Sequence, residues 1–86
     1  MASYRIEWKR STLKEFRRLP SSVQREIFRA IEALAENPYP HGVVKLRGAT
    51  RSYRLRVGEY RVVYTVESAH LLIEIVRIRH RWDMYR

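Results

Sequence analysis

The chain of 86 residues has no cysteine. No disulfide can brace it, so stability must come from packing, and a reducing cytosol suits it. No stretch is long and apolar enough to cross a bilayer, and the start, MASYRIEWKR, lacks the apolar run of a signal peptide. Repeats, low-complexity segments and linkers are missing too. These absences lead us to expect one soluble, cytoplasmic domain over residues 1–86 with room for one small core.

Several chemistries lack their residues. There is no glycine-rich phosphate loop, no zinc pattern, no His/Cys cluster and no carboxylate pair of the kind that holds two metals. No metal or other cofactor is expected. Ser11, Ser21 and Ser22 read as helix caps. His41 reads as a loop residue and His70 as a turn residue. His80 lies in a basic cluster, where a part in RNA chemistry and a plain surface position both remain open.

Acidic residues are scarce, and that deficit is the strongest signal. Nine Asp and Glu face eighteen Lys and Arg, a net charge of +9. Only Lys9, Lys14 and Lys45 are lysines, and the other fifteen are arginines. Arginine presents a planar, permanently charged fork that matches phosphate. The excess is uneven: residues 44–86 hold ten basic and four acidic side chains, residues 1–43 eight and five. A polyanionic partner, nucleic acid or acidic protein, fits this balance, and its site belongs in the second half.

SYRIEW (3–8) reads as a strand rich in aromatic and branched residues. STLKEFRRL reads as a short helix with Thr12 and Glu15 as a capping box, broken by Pro20. SSVQREIFRAIEALAEN reads as a longer helix, with Ser21 and Gln24 as a second capping box and a stripe of Val23, Ile27, Ala30, Ile31 and Leu34. Asn37-Pro38 ends it. The period then changes to two, giving strands over 52–57, 60–66 and 71–79. The fold class expected is α+β: an N-terminal strand and an antiparallel helix hairpin on one face of a small antiparallel sheet. The other face is left partly open.

RLRVGEYRVVY contains a two-residue Gly-Glu turn between alternating runs, the signal of a type II′ hairpin. Val57 then pairs with Tyr60, Leu55 with Val62 and Tyr53 with Tyr64 on a core face. Arg56 falls opposite Arg61, and Arg54 opposite Val63, on the other face. Like charges across strands cost some tenths to about 1 kcal/mol. An anion between the arginines would explain the arrangement; long arginine stems splayed over apolar sheet surface would too. Arg77 and Arg79 share a face of the last strand. A four-residue loop after Val66 places them with Tyr60 and Val62. A five-residue loop places them with Arg61 and buries Val76 and Ile78, the more sensible core.

RNA cleavage by its own 2′-OH needs a base, an acid and cations around the phosphate, and needs no metal. Arginines meet the last need. Tyrosine, with an ordinary pKa near 10, is a weak base unless cations lower it; Arg79 and Arg81 lie near Tyr85 in sequence. Trp82 and Tyr85 are three apart, a spacing that suits stacking of an unpaired base and equally a hydrophobic lid.

The order and spacing of LKEFRRLPSSVQREI, NPYPHGVVKLRG, YRLRVGEYRVVYTV and VRIRHRWDMYR resemble the RelE toxins of the RelE/ParE toxin–antitoxin superfamily over nearly the whole chain. The resemblance implies a ribosome-dependent endoribonuclease that cuts mRNA in the A site by metal-independent 2′-OH transesterification. It implies Arg61, Arg79 and Tyr85 as catalytic residues. Arg54 and Arg56 stand where well-studied members carry lysines. Arginine effectively cannot donate a proton, so phosphate binding is the role left to them. Arg77, Arg81, Lys45 and Trp82 complete the expected RNA contacts. The implied partners are an acidic, RelB-like antitoxin, the ribosome and mRNA, with no membrane. Two rivals stand beside this reading: a ParE-like DNA gyrase inhibitor without RNase activity, and a basic binding module without catalysis.

Overall fold

The computed structural model describes residues 3–48 and 50–85, with Met84 and Tyr85 described by backbone alone. Strand β1 (Arg5–Trp8) leads into helices α1 (Arg10–Arg17) and α2 (Ser21–Leu34). Strands β2 (Val44–Lys45), β3 (Ser52–Val57), β4 (Tyr60–Glu67) and β5 (Leu72–His80) follow, and a 3-10 turn spans Arg81–Tyr85. The fold is α+β, as expected. The sheet order is β1-β5-β4-β3-β2, antiparallel throughout except where β1 joins β5 in parallel.

The stripe on α2 does what its spacing requires. Ile27, Ile31 and Leu34 are wholly buried against Leu55, Val57, Val62, Tyr64, Val66, Ile73, Ile75 and Ile78 of the sheet. Helix α2 ends at Leu34 with Ala35 as its cap, three residues before the Asn-Pro break. The β3–β4 hairpin has the registers expected, including Tyr53 with Tyr64, Leu55 with Val62 and Arg56 with Arg61. Gly58 opens its turn at φ +56° while Glu59 stays outside the positive-φ region, which fits type II′.

Neither capping box forms. Helix α1 is capped by Lys9 and α2 by Pro20, without a side-chain bond in either case. Gln24 instead donates to the carbonyl of Leu19 at 2.9 Å. Thr12 and Glu15 share a face of α1, as an i,i+3 pair must, but that face lies against β5. β1 covers the edge of β5 only as far as Ile75. Beyond it, the Lys9 N–H donates to the Ile75 carbonyl at 3.0 Å. The Thr12 hydroxyl donates to the Val76 carbonyl at 2.6 Å, and Glu15 Oε1 accepts the Ile78 N–H at 3.0 Å. The pair thus satisfies a strand edge that would otherwise be open.

Thr12 is wholly buried, so Thr12→Val keeps the shape and orphans a buried carbonyl. The expected loss is about 1–3 kcal/mol of unfolding free energy, read from urea denaturation. A loss near zero would mean that the hydroxyl is dispensable to the joint.

The β4–β5 register matches neither loop expected. Glu67 pairs with Leu72, leaving a four-residue connection over 68–71. Continued without a break, that register would put Arg77 opposite Val62, in the core. A bulge between Val63 and Tyr64 in the ladder corrects it, with Val76 as the extra residue on β5. Past the bulge Val63 pairs with Arg77, Val62 with Ile78 and Arg61 with Arg79. Ile78 is buried, Val76 half-buried, and Arg77 and Arg79 stand on the Arg61 face. The longer loop had put them on that same face by a different route.

Candidate RNA-binding face

The sheet face opposite α2 carries its charges in rows. Arg56, Arg61 and Arg79 are successive cross-strand partners on β3, β4 and β5. Arg54, Val63 and Arg77 form the next row, displaced by two residues. With strands about 4.8 Å apart, the outer members of a row are about 10 Å apart at the backbone. Five guanidinium groups therefore converge on a patch a few phosphates wide. Arg56 and Arg77 are exposed, and Arg54, Arg61 and Arg79 half-buried.

The face is polar in a second sense. Two residues further along β4 lies the row Ser52, Thr65 and Glu74, continued by Glu7 on β1. From Arg61 to Thr65 is about 13 Å along the strand. Over that distance the face passes from clustered arginines to two carboxylates, one of which, Glu7, is paired with Arg5, so the field along the face is most positive at the Arg61 end.

The cations in the first row are held differently. Arg61 Nη1 donates to the carbonyls of Tyr60 at 3.1 Å and Gly58 at 3.3 Å. These bonds fold it back on the hairpin turn, and among the described residues no carboxylate pairs with it. Arg79 Nη1 donates to the Ile78 carbonyl at 3.1 Å and is ion-paired with Glu15.

The C-terminal turn is tied to the hairpin turn. The Arg81 N–H donates to the Glu59 carbonyl at 2.8 Å. Arg81 Nε lies 2.8 Å from the Glu59 carboxylate, an ion pair by distance whose N–H is not aimed at the oxygen. The Arg81 guanidinium sits 4.6 Å from the centre of the Trp82 ring, a cation–π contact. Trp82 remains 63% exposed, a poor fit to a hydrophobic lid. A 3-10 turn repeats every three residues, so positions 82 and 85 lie on one side of it. The Tyr85 side chain lies outside the described residues.

Lys45 is not part of this assembly. It pairs with Tyr53, whose side chain is on the α2 side of the sheet, and lines a cavity with Tyr39, Arg51 and His70. Arg54, Arg56, Arg61, Arg77 and Arg79 are brought together; Arg81 and Trp82 flank them from the C-terminal turn.

Three other tyrosines pack together away from this face. Tyr39, Tyr53 and Tyr64 form a ladder with ring centres 5.1 and 5.9 Å apart, and the Tyr64 hydroxyl donates to the Pro38 carbonyl at 2.7 Å. Loss of water raises the pKa of Tyr53, with Tyr39 adding to it, and burial pushes Tyr64 up further. Raised values mean that the folded chain keeps these protons after the unfolded chain has released them. Their contribution is complete below pH about 10, the ordinary tyrosine value, and is lost as pH rises past it. The urea midpoint should therefore fall above pH about 10, and Tyr64→Phe should flatten that fall. An equally steep fall in the variant would place the cause elsewhere.

Sequence reasoning missed Glu15 and Glu59 as the carboxylates that touch Arg79 and Arg81. The sequence pattern marks Glu15 as a cap. Glu59 reads from sequence only as a turn residue, since nothing local links it to Arg81.

This geometry has relatives. The family model for the "ParE toxin of type II toxin-antitoxin system" matches residues 6–85. RelE1 of Methanocaldococcus jannaschii, a toxin by name, is 31% identical over 86 residues, covering 96% of each chain. Toxin RelG of Mycobacterium tuberculosis is 25% identical over 84 residues, covering 96% of this chain and 97% of its own. In the RelE–RelB complex from Pyrococcus horikoshii, a chain covered to 96% superimposes on 92% of this one with a TM-score of 0.83 at 30% identity. Isolated Escherichia coli RelE gives a TM-score of 0.79 at 25% identity, with 92% of this chain and 84% of that one covered. Fold and sequence agree: the chain belongs to the RelE/ParE family of type II toxins and is of the RelE type.

Proposed function

We propose that this protein is a ribosome-dependent endoribonuclease toxin that cuts mRNA in the A site and so inhibits translation. The observation that carries the reading is the row Arg56–Arg61–Arg79, three cations in register across three strands on an open face. Such a row is costly unless an anion fills it, and the charge that grows on a phosphate during 2′-OH attack is the anion it suits.

In the step proposed, the 2′ oxygen bonds to phosphorus as the bond from phosphorus to the 5′ oxygen breaks. The products are a 2′,3′-cyclic phosphate and a 5′-hydroxyl end. Arg61 and Arg79 hold the non-bridging oxygens as charge builds. Tyr85 takes the 2′-OH proton as its tyrosinate, becoming the neutral phenol, or as the neutral phenol orients that hydroxyl, and water gives a proton to the 5′ oxygen. Arg54, Arg56 and Arg77 hold flanking phosphates. Arg81 keeps Trp82 presented as a platform for an unpaired base. With an ordinary tyrosine pKa of about 10 little tyrosinate is present at neutral pH, which is why the ribosome's positioning of the mRNA belongs in the mechanism. The whole chain, residues 1–86, acts as one cytoplasmic toxin domain.

An acidic, RelB-like antitoxin is the proposed partner, its amphipathic segment lying on the arginine face. Several solved relatives are RelB–RelE complexes, which supports this pairing.

One observation favours a second reading: the family model that matches is described by ParE. That reading is a gyrase inhibitor with no RNase chemistry. The two separate in paired assays, DNA supercoiling by gyrase and cleavage of mRNA on programmed ribosomes. We expect unaffected supercoiling, cut mRNA, and a Tyr85→Phe variant slowed by about 10²-fold or more, the usual scale for a general base. Gyrase inhibition with intact mRNA would reverse the choice.

A further inference from the structure

Glu15 makes two bonds that its own helix does not need. Oε1 accepts the Ile78 N–H at 3.0 Å, and Oε2 pairs with Arg79 Nη1. The pair is partly withdrawn from water, with side chains 23% and 37% exposed. On the Arg79 side the engagement is confined to Nη1, which also donates to the Ile78 carbonyl. Among the described residues no bond reaches Nε or Nη2. Those two nitrogens form the side-on fork of a guanidinium, the edge that grips a phosphate with two parallel bonds.

We propose that Glu15 is a positioning residue for the cleavage reaction, acting through Arg79. It occupies one nitrogen of the guanidinium and thereby keeps the Nε–Nη2 fork open toward the phosphate that Arg61 also holds. The inference rests on the reading above, in which Arg61 and Arg79 share the reacting phosphate.

The row itself explains why a carboxylate stands there. Arg79 faces Arg61 directly across the strands, and Arg56 lies beyond. Without an anion these charges repel, and a long side chain at the end of the row has every reason to swing into water. Glu15 sits beyond that end, opposite the repulsion, and reaches it from a fixed helix. It offsets repulsion before RNA arrives and removes rotamers that binding would otherwise have to remove. The helix position is fixed in turn by the bonds from Thr12 and Lys9 to the same strand edge.

A carboxylate among phosphate-binding arginines also opposes the phosphate. Its removal should therefore split the kinetic constants. Glu15→Gln keeps an oxygen for the Ile78 N–H, so the joint between helix and strand survives. It loses only the charge that holds Arg79.

On programmed ribosomes we expect kcat of Glu15→Gln to fall at least about tenfold, within the range that misplacement of a reacting group costs, while KM stays level or drops. A residue that only supports the fold would move both constants in the unfavourable direction or neither. In parallel, nitrogen-15 NMR of the free protein reads rotation about the Arg79 Cζ–Nη bonds. We expect hindered rotation in the wild type and averaging in Glu15→Gln.

Wild-type cleavage with an undiminished kcat in Glu15→Gln would overturn this inference alone. Averaged Arg79 nitrogens in the wild type would also overturn it, whatever the variant does. No cleavage by the wild type on ribosomes would overturn the reading of function, and this inference with it.

Discussion

Replacing Arg61 with Ala is expected to slow mRNA cleavage by about 10²–10³-fold, the scale for removing one preorganised donor from a developing anion. The fold should not notice. Arg61 is half-buried and, among the described residues, bonds only to the carbonyls of Gly58 and Tyr60 beside the hairpin turn. It has cationic neighbours on both sides, Arg56 and Arg79. Its removal relieves repulsion of roughly 0.2–1 kcal/mol per pair and orphans no buried charge. The urea midpoint of Arg61→Ala should therefore match or exceed the wild type while activity collapses. Arg61→Lys restores the charge without the fork, so it should recover only part of the rate. Arg79→Ala is a less clean test, because it leaves Glu15 half-buried and unpaired and so costs stability as well.

Inserting one alanine after Val76 should have the largest effect on the fold. Val76 is already the extra residue of the bulge in β5. With a second extra residue, Ile73 and Ile75 keep their core positions, and the residues after the insertion exchange faces. Arg77 and Arg79 would then point at α2, and Ile78 would point at solvent. Burying one unpaired charge costs several kcal/mol, a large share of the roughly 5–15 kcal/mol that holds a small domain together. We expect the insertion variant to lose its cooperative urea transition. Val76→Ala, which keeps the residue count, should retain it. A cooperative insertion variant with near-wild-type stability would show that the bulge does not set the register.

These two expectations also mark what the sequence could reveal. The β3–β4 hairpin was legible because its turn chemistry is local and fixes register within two residues. Everything that follows from it was legible too, including Arg56 facing Arg61. The β4–β5 register depended on a loop length and a bulge. Loop length is not fixed by alternation, so the choice between two registers rests only on which of them buries Val76 and Ile78 in place of two arginines. Yet a trace of the bulge is present in IEIVRI: the apolar positions Ile73, Ile75 and Ile78 are spaced two and then three. Strict alternation breaks at Val76, and a break in period inside a strand is what an inserted residue produces.

Thr12 and Glu15 were misread for a different reason. The pattern T-x-x-E fits a capping box, and the pattern holds no information about a strand more than sixty residues away. Only the tertiary fold brings the free edge of β5 to that helix face, and the long-range bonds then win over the local ones. The same limit hid β2, two residues long, and the parallel pairing of β1, which depends on where the last strand lies. For the site, the arginines could be picked out by type and register. The carboxylates that position them could not, because acids beside a basic patch look like ordinary surface charge.

The antitoxin proposal has a consequence in solution. An acidic segment on the arginine face must compete with RNA for the same cations, so toxin and antitoxin should dissociate more readily as salt rises. Charge reversal at Arg56 and Arg77, both exposed, should weaken the complex without unfolding the toxin.

The central claim is that this face cuts mRNA only where a ribosome presents it. The direct test is to give the purified protein one mRNA in two states, free and in programmed ribosomes with an empty A site, and to map the cut ends. The account predicts cuts within the A-site codon, 2′,3′-cyclic phosphate and 5′-hydroxyl termini, and little cleavage of free RNA. Equal cleavage of both states, or intact mRNA in both, would contradict it.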